Sequence, residues 1–472
     1  MNKYKTLIKN ILLLFTGTFV TKILSFLMVP FYTSILSTSD YGIADLISTT
    51  VLLVLPFFSL LMDEAIMRFT LDKNNDKKQV FTIGLLISFI GFVIILCISP
   101  ILLFFSQLKK FYFFVILYYF SSWIYNISFS YVKGLNKLSL TTVAGIIHTF
   151  AFLALNIVTL AVLDLGVYGY LLSINISNLL AVIYLVFKCS LYKNIISLKR
   201  IDKKLAIEML KYSFPMIPDY ISWWVINCSD RYMLAFMTNT SEVGIYSVSY
   251  KIPTILNSLS SIFSSAWKIS SVDDFGTESS LKFYNRVYKL YSSFLIIGGS
   301  ILILFTKILS SILFSKQFFI AWKITPILIF AYVLSAQALF IGSIFTASKK
   351  TKGLFISSSI GAIVNIVLNF LLIPYLNGVG AAIATSIGYF VILNINIFNT
   401  KKIINMNFYI EECICSYFLL IIEIFFLIIG KYSYQIGFIC FIGVCVINRK
   451  PLYELLTFFK KKINKKNKRG GK

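Results

Sequence analysis

The chain has 472 residues, of which 58% are hydrophobic, 17% aromatic and only 13% charged, with a formal net charge of +25 and a mean hydropathy of +0.83. A water-soluble core of this length cannot hide so much apolar side chain, so the solvent is lipid and no soluble domain fits between the apolar stretches. A helix crossing a hydrocarbon core of roughly 30 Å needs about 20 apolar residues. In chain order the predicted spans are 7–33, 43–63, 80–105, 111–132, 138–163, 168–187, 213–237, 245–267, 286–314, 323–346, 353–373, 379–398, 412–430 and 432–447, about fourteen in all.

The first stretch opens like a secretory leader, with Lys3, Lys5 and Lys9 ahead of Ile11 to Leu14. Its apolar run continues to Leu36 without a small-x-small cleavage site and reads as a retained span. Of the seven cysteines, Cys97, Cys228, Cys413, Cys440 and Cys445 lie in or beside apolar stretches, where a thiol behaves as a small hydrophobe. With His148 the only histidine and Cys413-x-Cys415 lacking a second pair, neither a metal site nor a cofactor is expected.

Lysine and arginine resist translocation and collect in cytoplasmic loops. With the N-terminus inside, inner segments hold 35 of the 44 cations and outer segments hold six, namely Lys109, Lys110, Lys307, Lys316, Lys323 and Lys431. The remaining three, Lys22, Arg231 and Lys251, fall inside spans. This predicts a multi-pass protein of the inner (cytoplasmic) membrane with both termini cytoplasmic. The basic tail from Lys460 to Arg469, beside a final span, suits anionic lipid headgroups better than nucleic acid.

The sequence repeats weakly. Thr38-Ser-Asp-Tyr-Gly-Ile43 parallels Thr240-Ser-Glu-Val-Gly-Ile245, and Leu163-Asp-Leu-Gly-Val-Tyr-Gly169 parallels Leu376-Asn-Gly-Val-Gly380. Six spans per copy keeps both copies in one orientation, which is the parallel repeat of an alternating-access transporter. The expected organisation is an all-α membrane protein with a six-helix bundle over 1–190 and a cytoplasmic linker over 191–212. A second six-helix bundle over 213–400 faces the first across a central cleft. Two extra helices occupy 401–448 and a polybasic tail 449–472. In the linker, Ile201, Leu205 and Met209 recur at helical spacing among lysines, as in a helix lying on the membrane surface.

An ionisable side chain at mid-bilayer costs roughly 3 kcal/mol or more and is retained where it faces protein or water. Lys22, Asp219, Asp230, Arg231 and Lys251 are the informative residues by this rule. Lys22, Arg231 and Lys251 point to an anionic group in the cleft, against the competing reading that Asp230 and Arg231 snorkel to the outer surface and Lys251 pairs with Asp219 or Asp230 as a structural bridge. Pro215 and Pro218 break or kink the start of span 7, although prolines there also suit an ordinary helix start.

The run Ile35-Leu-Ser-Thr-Ser-Asp-Tyr-Gly-Ile43 after Pro30-Phe-Tyr32 resembles the start of the polysaccharide and oligosaccharide flippases. These are the Wzx-like branch of the multidrug/oligosaccharidyl-lipid/polysaccharide exporter superfamily. Ser229-Asp-Arg-Tyr-Met-Leu234 followed by Val243-Gly-Ile-Tyr-Ser-Val-Ser-Tyr-Lys251 is similar to the same branch. The resemblance implies transfer of an undecaprenyl-diphosphate-linked oligosaccharide from the cytoplasmic to the outer leaflet, for O-antigen, capsule or exopolysaccharide (lipopolysaccharide-type) synthesis. It implies no enzyme activity, coupling to H+ or Na+, and polymerase or glycosyltransferase partners. Lys22, Arg231 and Lys251 are then assigned to the anionic headgroup and Asp219 and Asp230 to ion coupling. Tyr32, Trp223 and Trp224, with Tyr246 and Trp267, are candidates to stack on sugar faces, a role that interfacial aromatic belts rival. A drug or cation antiporter and a peptidoglycan-precursor flippase of the same superfamily remain open, and a membrane-embedded polymerase or glycosyltransferase is disfavoured by the short outer loops.

Overall fold

The computed structural model describes residues 26–104, 109–197, 201–272, 278–348, 352–454 and 457. Every described element is helical: α1 (Val29–Ile35), α2 (Thr38–Ser59), α3 (Met62–Leu71), α4 (Lys77–Ile98), α5 (Tyr112–Gly134), α6 (Leu138–Asn156), α7 (Gly166–Cys189), α8 (Lys203–Ser213), α9 (Ile217–Met237), α10 (Thr240–Ser249), α11 (Pro253–Val272), α12 (Glu278–Leu304), α13 (Thr306–Leu313), α14 (Thr325–Ala347), α15 (Lys352–Lys401), α16 (Ile410–Ile429) and α17 (Ser433–Ile447). Eight of the described helices, some with their 3-10 or π extensions, are long and apolar enough to cross a membrane. The protein is thus an all-α membrane protein.

Local sequence explains the boundaries. Ser37, Asp76 and Asp202 cap α2, α4 and α8 by accepting from Asp40, Lys78 and Lys204 backbone N–H groups. Gly430 ends α16 at a φ of 81°, a left-handed conformation that costs glycine nothing. The predicted spans 353–373 and 379–398 are the two arms of α15, which folds back at Asn377 (φ 48°, ψ −132°) just after Pro374. The arms approach closely because Gly361 and Gly388 face each other: a Cβ on either would lie 3.2 or 3.3 Å from the other's carbonyl oxygen. The predicted span 245–267 is interrupted, since α10 stops at Ser249 and α11 starts at Pro253. Proline lacks the N–H that would continue the ladder, and it pushes the preceding residue out of helical conformation.

The chain forms two compact units, one reaching Ser247 and the other running from Val248. In the first, α2 to α7 share a core that includes Ile47, Met62, Ile83, Trp123, Tyr131 and Leu171. The linker helix α8 joins this core through Leu205 and Met209, the residues picked out by its amphipathic spacing. In the second unit an aromatic nucleus of Trp267, Tyr288, Phe340 and Phe345 is buried among α11, α12 and α14. A polar network ties α12 to α14, α16 and α17. Gln337 donates to Ser292 (2.5 Å), Tyr417 donates to Gln337, Ser293 donates to Asn448 (2.7 Å) and Asn448 donates to Ser416 (3.2 Å).

Candidate functional site

The two copies of the Thr-Ser-x-x-Gly motif meet each other inside the first unit. Each opens a helix, α2 or α10, and each helix start is capped by the side chain before it. Ser37 accepts from the Asp40 N–H (3.0 Å) and Asn239 from the Glu242 N–H (2.9 Å). The hydroxyls then pair reciprocally: Thr38 with Ser241 at 2.6 Å and Ser39 with Thr240 at 2.7 Å. One turn on, a Cβ built on Gly42 would fall 2.0 Å from the Thr240 carbonyl oxygen, and one on Gly244 1.9 Å from that of Thr38. Glycine is required at both places because the obstacle is backbone, which cannot move aside like a side chain.

One further turn along, the same pairing brings Asp45 to Ser247, whose hydroxyl donates to Asp45 Oδ2 (2.6 Å). Arg231, from α9, donates its Nε to that same oxygen and its Nη1 to the Asn227 carbonyl (2.6 Å). The ion pair is not fully sealed: the Arg231 side chain is 10% exposed and the Asp45 side chain 22%. Around it, Trp224 donates Nε1 to the Thr49 carbonyl (3.0 Å), the Tyr232 and Thr50 hydroxyls pair, and Tyr118 and Tyr170 lie near Asp45. Asp230, the neighbour of Arg231 in α9, is fully buried and accepts from the Tyr246 hydroxyl (2.5 Å).

Arg231 and Asp230 are thus brought together with Asp45, an acid that the sequence reading passed over although the rule applied to Arg231 covers it equally. Lys22 lies outside the described residues, as does the side chain of Asp219, whose backbone is in the first turn of α9. Lys251 belongs to the second unit and sits in the break between α10 and α11. Among the aromatic candidates Trp223 is exposed, and Trp224 is buried by its bond to Thr49. Tyr246 is buried against Asp230, and Trp267 is buried in the second unit, donating to Ser343 (2.6 Å). Tyr32 is buried edge-on to Tyr170, with ring centroids 5.9 Å apart. A cavity of about 530 Å³ in the second unit is lined by Lys289, Glu411, Glu412, Cys415, Arg449 and Lys450. Lys289 is already held there by Glu412 (3.5 Å) and the Tyr409 ring (4.0 Å).

Paired helix starts from an internal repeat, with an ion pair one turn inside them, thus stand within a polytopic helical membrane protein. Its fold is similar to that of the lipid II flippase MurJ in an inward closed conformation (TM-score 0.72, 18% identity, 94% of this chain and 100% of that one). It is also similar to an inward-facing multidrug resistance MATE family transporter of the MOP superfamily (TM-score 0.60, 14% identity, 81% and 97%). No curated protein sequence matches significantly. The sequence model of the family described as polysaccharide biosynthesis protein matches residues 7–267, and the chain belongs to that family.

Proposed function

We propose that the protein is a flippase that carries a prenyl-diphosphate-linked oligosaccharide from the cytoplasmic to the outer leaflet for polysaccharide assembly. The observation that carries this reading is the mated repeat with Asp45, Arg231 and Ser247 beneath it, in a chain of the polysaccharide biosynthesis family. A glycan exposes many hydroxyls, each costing about 2 kcal/mol or more to bury unpaired, so it requires a wet path across lipid. Reciprocal hydroxyl pairs suit a closure that must also open. Each contributes only about 1 kcal/mol net because water replaces the partner when it separates.

With the N-terminus inside, the mated motifs stand at the outer end and close it while the inner side admits substrate. Arg231, Lys22 and Lys251 are assigned to the diphosphate, for which Arg231 exchanges Asp45 for a phosphate oxygen. Asp219 and Asp230 are assigned to coupling with H+ or Na+. The reading is tested by reconstituting the protein in liposomes and following a fluorescent prenyl-diphosphate oligosaccharide between leaflets. Wild type should move it, and Lys22→Ala and Arg231→Ala should lower the rate at least about tenfold, a loss of about 1.4 kcal/mol. Wild type that leaves every glycan lipid in place while exchanging small organic cations would overturn the proposal in favour of an antiporter.

A further inference from the structure

The first unit holds a file of aromatic rings that the ion-pair site does not use. Phe129 and Tyr125 of α5 lie 5.6 Å apart. Tyr125 stacks on His148 of α6 (5.4 Å, 28°) and His148 on Phe152 (6.3 Å, 8°). Phe152 meets Tyr170 of α7 edge-on (5.6 Å), and Tyr170 meets Tyr32 of α1 (5.9 Å). Six rings from four helices thus form one continuous file, whose fifth ring, Tyr170, is an electrostatic neighbour of Asp45.

Five of these rings are less completely buried than a core requires, Tyr32 being the exception. On α6, Thr141, Ala144, His148, Phe152 and Asn156 recur every three or four residues on the face turned to the protein, opposite Val143, Ile146 and Phe150, which are exposed as a lipid face should be. That protein-facing stripe is buried at Thr141, Ala144 and Asn156 and half-buried in its middle, at His148 and Phe152. Phe129, Tyr125 and Tyr170 are likewise half-buried. In the aromatic nucleus of the second unit one stacked ring, Phe263, is half-buried, while Trp267, Tyr291 and Phe340 are buried. The file thus joins five half-buried rings to the buried ring of Tyr32. Polar groups border it: Asn178 beside His148 donates to Ser121 (3.2 Å) and Ser122 (3.3 Å). The hydroxyl of Tyr32 is buried with no hydrogen-bond partner among the described residues.

We infer that this file is the track on which the sugar rings of the cargo travel, and the inference rests on the flippase reading above. A pyranose presents an apolar C–H face to an aromatic ring and hydroxyls at its rim. Successive ring contacts of 5.4 to 6.3 Å give an oligosaccharide repeated stacking positions. Ser122 and His148, half-buried beside the rings, are the polar groups available to exchange hydrogen bonds with that rim. The occupant is therefore a chain of several pyranosides, and a lipid carrying one sugar uses little of the track.

The test compares two probes in the same liposomes, prenyl diphosphates bearing one N-acetylglucosamine or a linear pentasaccharide, and reads the ratio of their transfer rates. Phe152→Leu and Tyr170→Leu should each lower the pentasaccharide-to-monosaccharide ratio about tenfold. Phe152→Tyr, which keeps the ring, should restore it, and Phe150→Leu on the lipid face of the same helix should leave it unchanged. Melting temperatures separate lost stacking from lost fold. An unchanged ratio in the leucine variants, whether both rates hold or both fall together, would overturn the track while leaving the flippase standing. Wild type that transfers neither probe would overturn both.

Discussion

Asp45 and Arg231 are the residues on which the site turns, and their pairing has a measurable signature. Removing Arg231 leaves a partly exposed carboxylate with one hydroxyl donor among the described residues, Ser247. A fully buried pair broken from one side costs roughly 3–5 kcal/mol, and with Asp45 still 22% exposed we expect about 2 kcal/mol for Arg231→Gln. Asp45→Asn combined with Arg231→Gln should recover at least about 1 kcal/mol relative to the sum of the singles. Thermal melts of the four proteins in nanodiscs close this cycle, and strictly additive losses would show that the pair is not coupled. Glu423 behaves oppositely. It is buried in α16, where Ser300 donates to Oε2 (2.7 Å) and Oε1 has no hydrogen-bond partner among the described residues. Glu423→Gln keeps an acceptor for Ser300 and removes the cost of a buried charge, so its melting temperature should equal or exceed that of wild type. A large drop would reveal a cation partner for Glu423. Of these residues, Arg231 is legible in the sequence because a charge in a span is costly wherever it sits. The same rule covers Asp45, but that the two pair across 186 positions is not legible, because nothing local encodes which helix α9 will touch. The one available hint is that Asp45 and Ser247 occupy equivalent places in the two repeat copies.

At the scale of elements, the repeat does more than report duplication, since its two copies bind each other through small residues at their helix starts. Gly42→Ala or Gly244→Ala puts a methyl against a carbonyl oxygen at 2.0 or 1.9 Å, so the two helix starts must separate. With cysteines in place of Ser39 and Thr240 and the seven native ones removed, a mild oxidant should join the pair, whose hydroxyls lie 2.7 Å apart. The bridge should stop transfer until it is reduced, and adding Gly42→Ala should slow its formation severalfold. A bridged protein that still transfers at the normal rate would show that the two starts never need to part. The element boundaries were legible where punctuation is strong. Pro374 and the Asn377-Gly-Val-Gly380 run separate the arms of α15 as two predicted spans, although helical backbone continues on either side of Asn377. They were misplaced where apolar composition ran through a break. The span read over 245–267 contains Pro253, and its hydropathy masks the interruption at Tyr250 to Ile252. Likewise the span read over 286–314 is divided between α12 and α13 at Phe305.

For the molecule as a whole, charge distribution decides which way the protein is expected to face, and the direction of the proposed transfer depends on it. The 35 cations assigned to the inner side against six outside are far from an even division. Each inner cation is further favoured by anionic headgroups, by about 1 kcal/mol near the surface. Composition alone made the fold class legible, because a chain with 58% hydrophobic residues has no other solvent than lipid. The mated helix starts were beyond it, since a repeat gives equivalence and not contact. The orientation is tested with single cysteines at Lys110 and Lys431, predicted outside, and at Asn75 and Lys204, predicted inside, probed on intact cells with a membrane-impermeant maleimide. We expect labelling at the first two and, only after permeabilisation, at the others. The reverse pattern would set the mated Thr-Ser-x-x-Gly motifs at the inner end. Closure there would hold the protein open to the outside, and the path inferred for the glycan would run in the wrong direction for export.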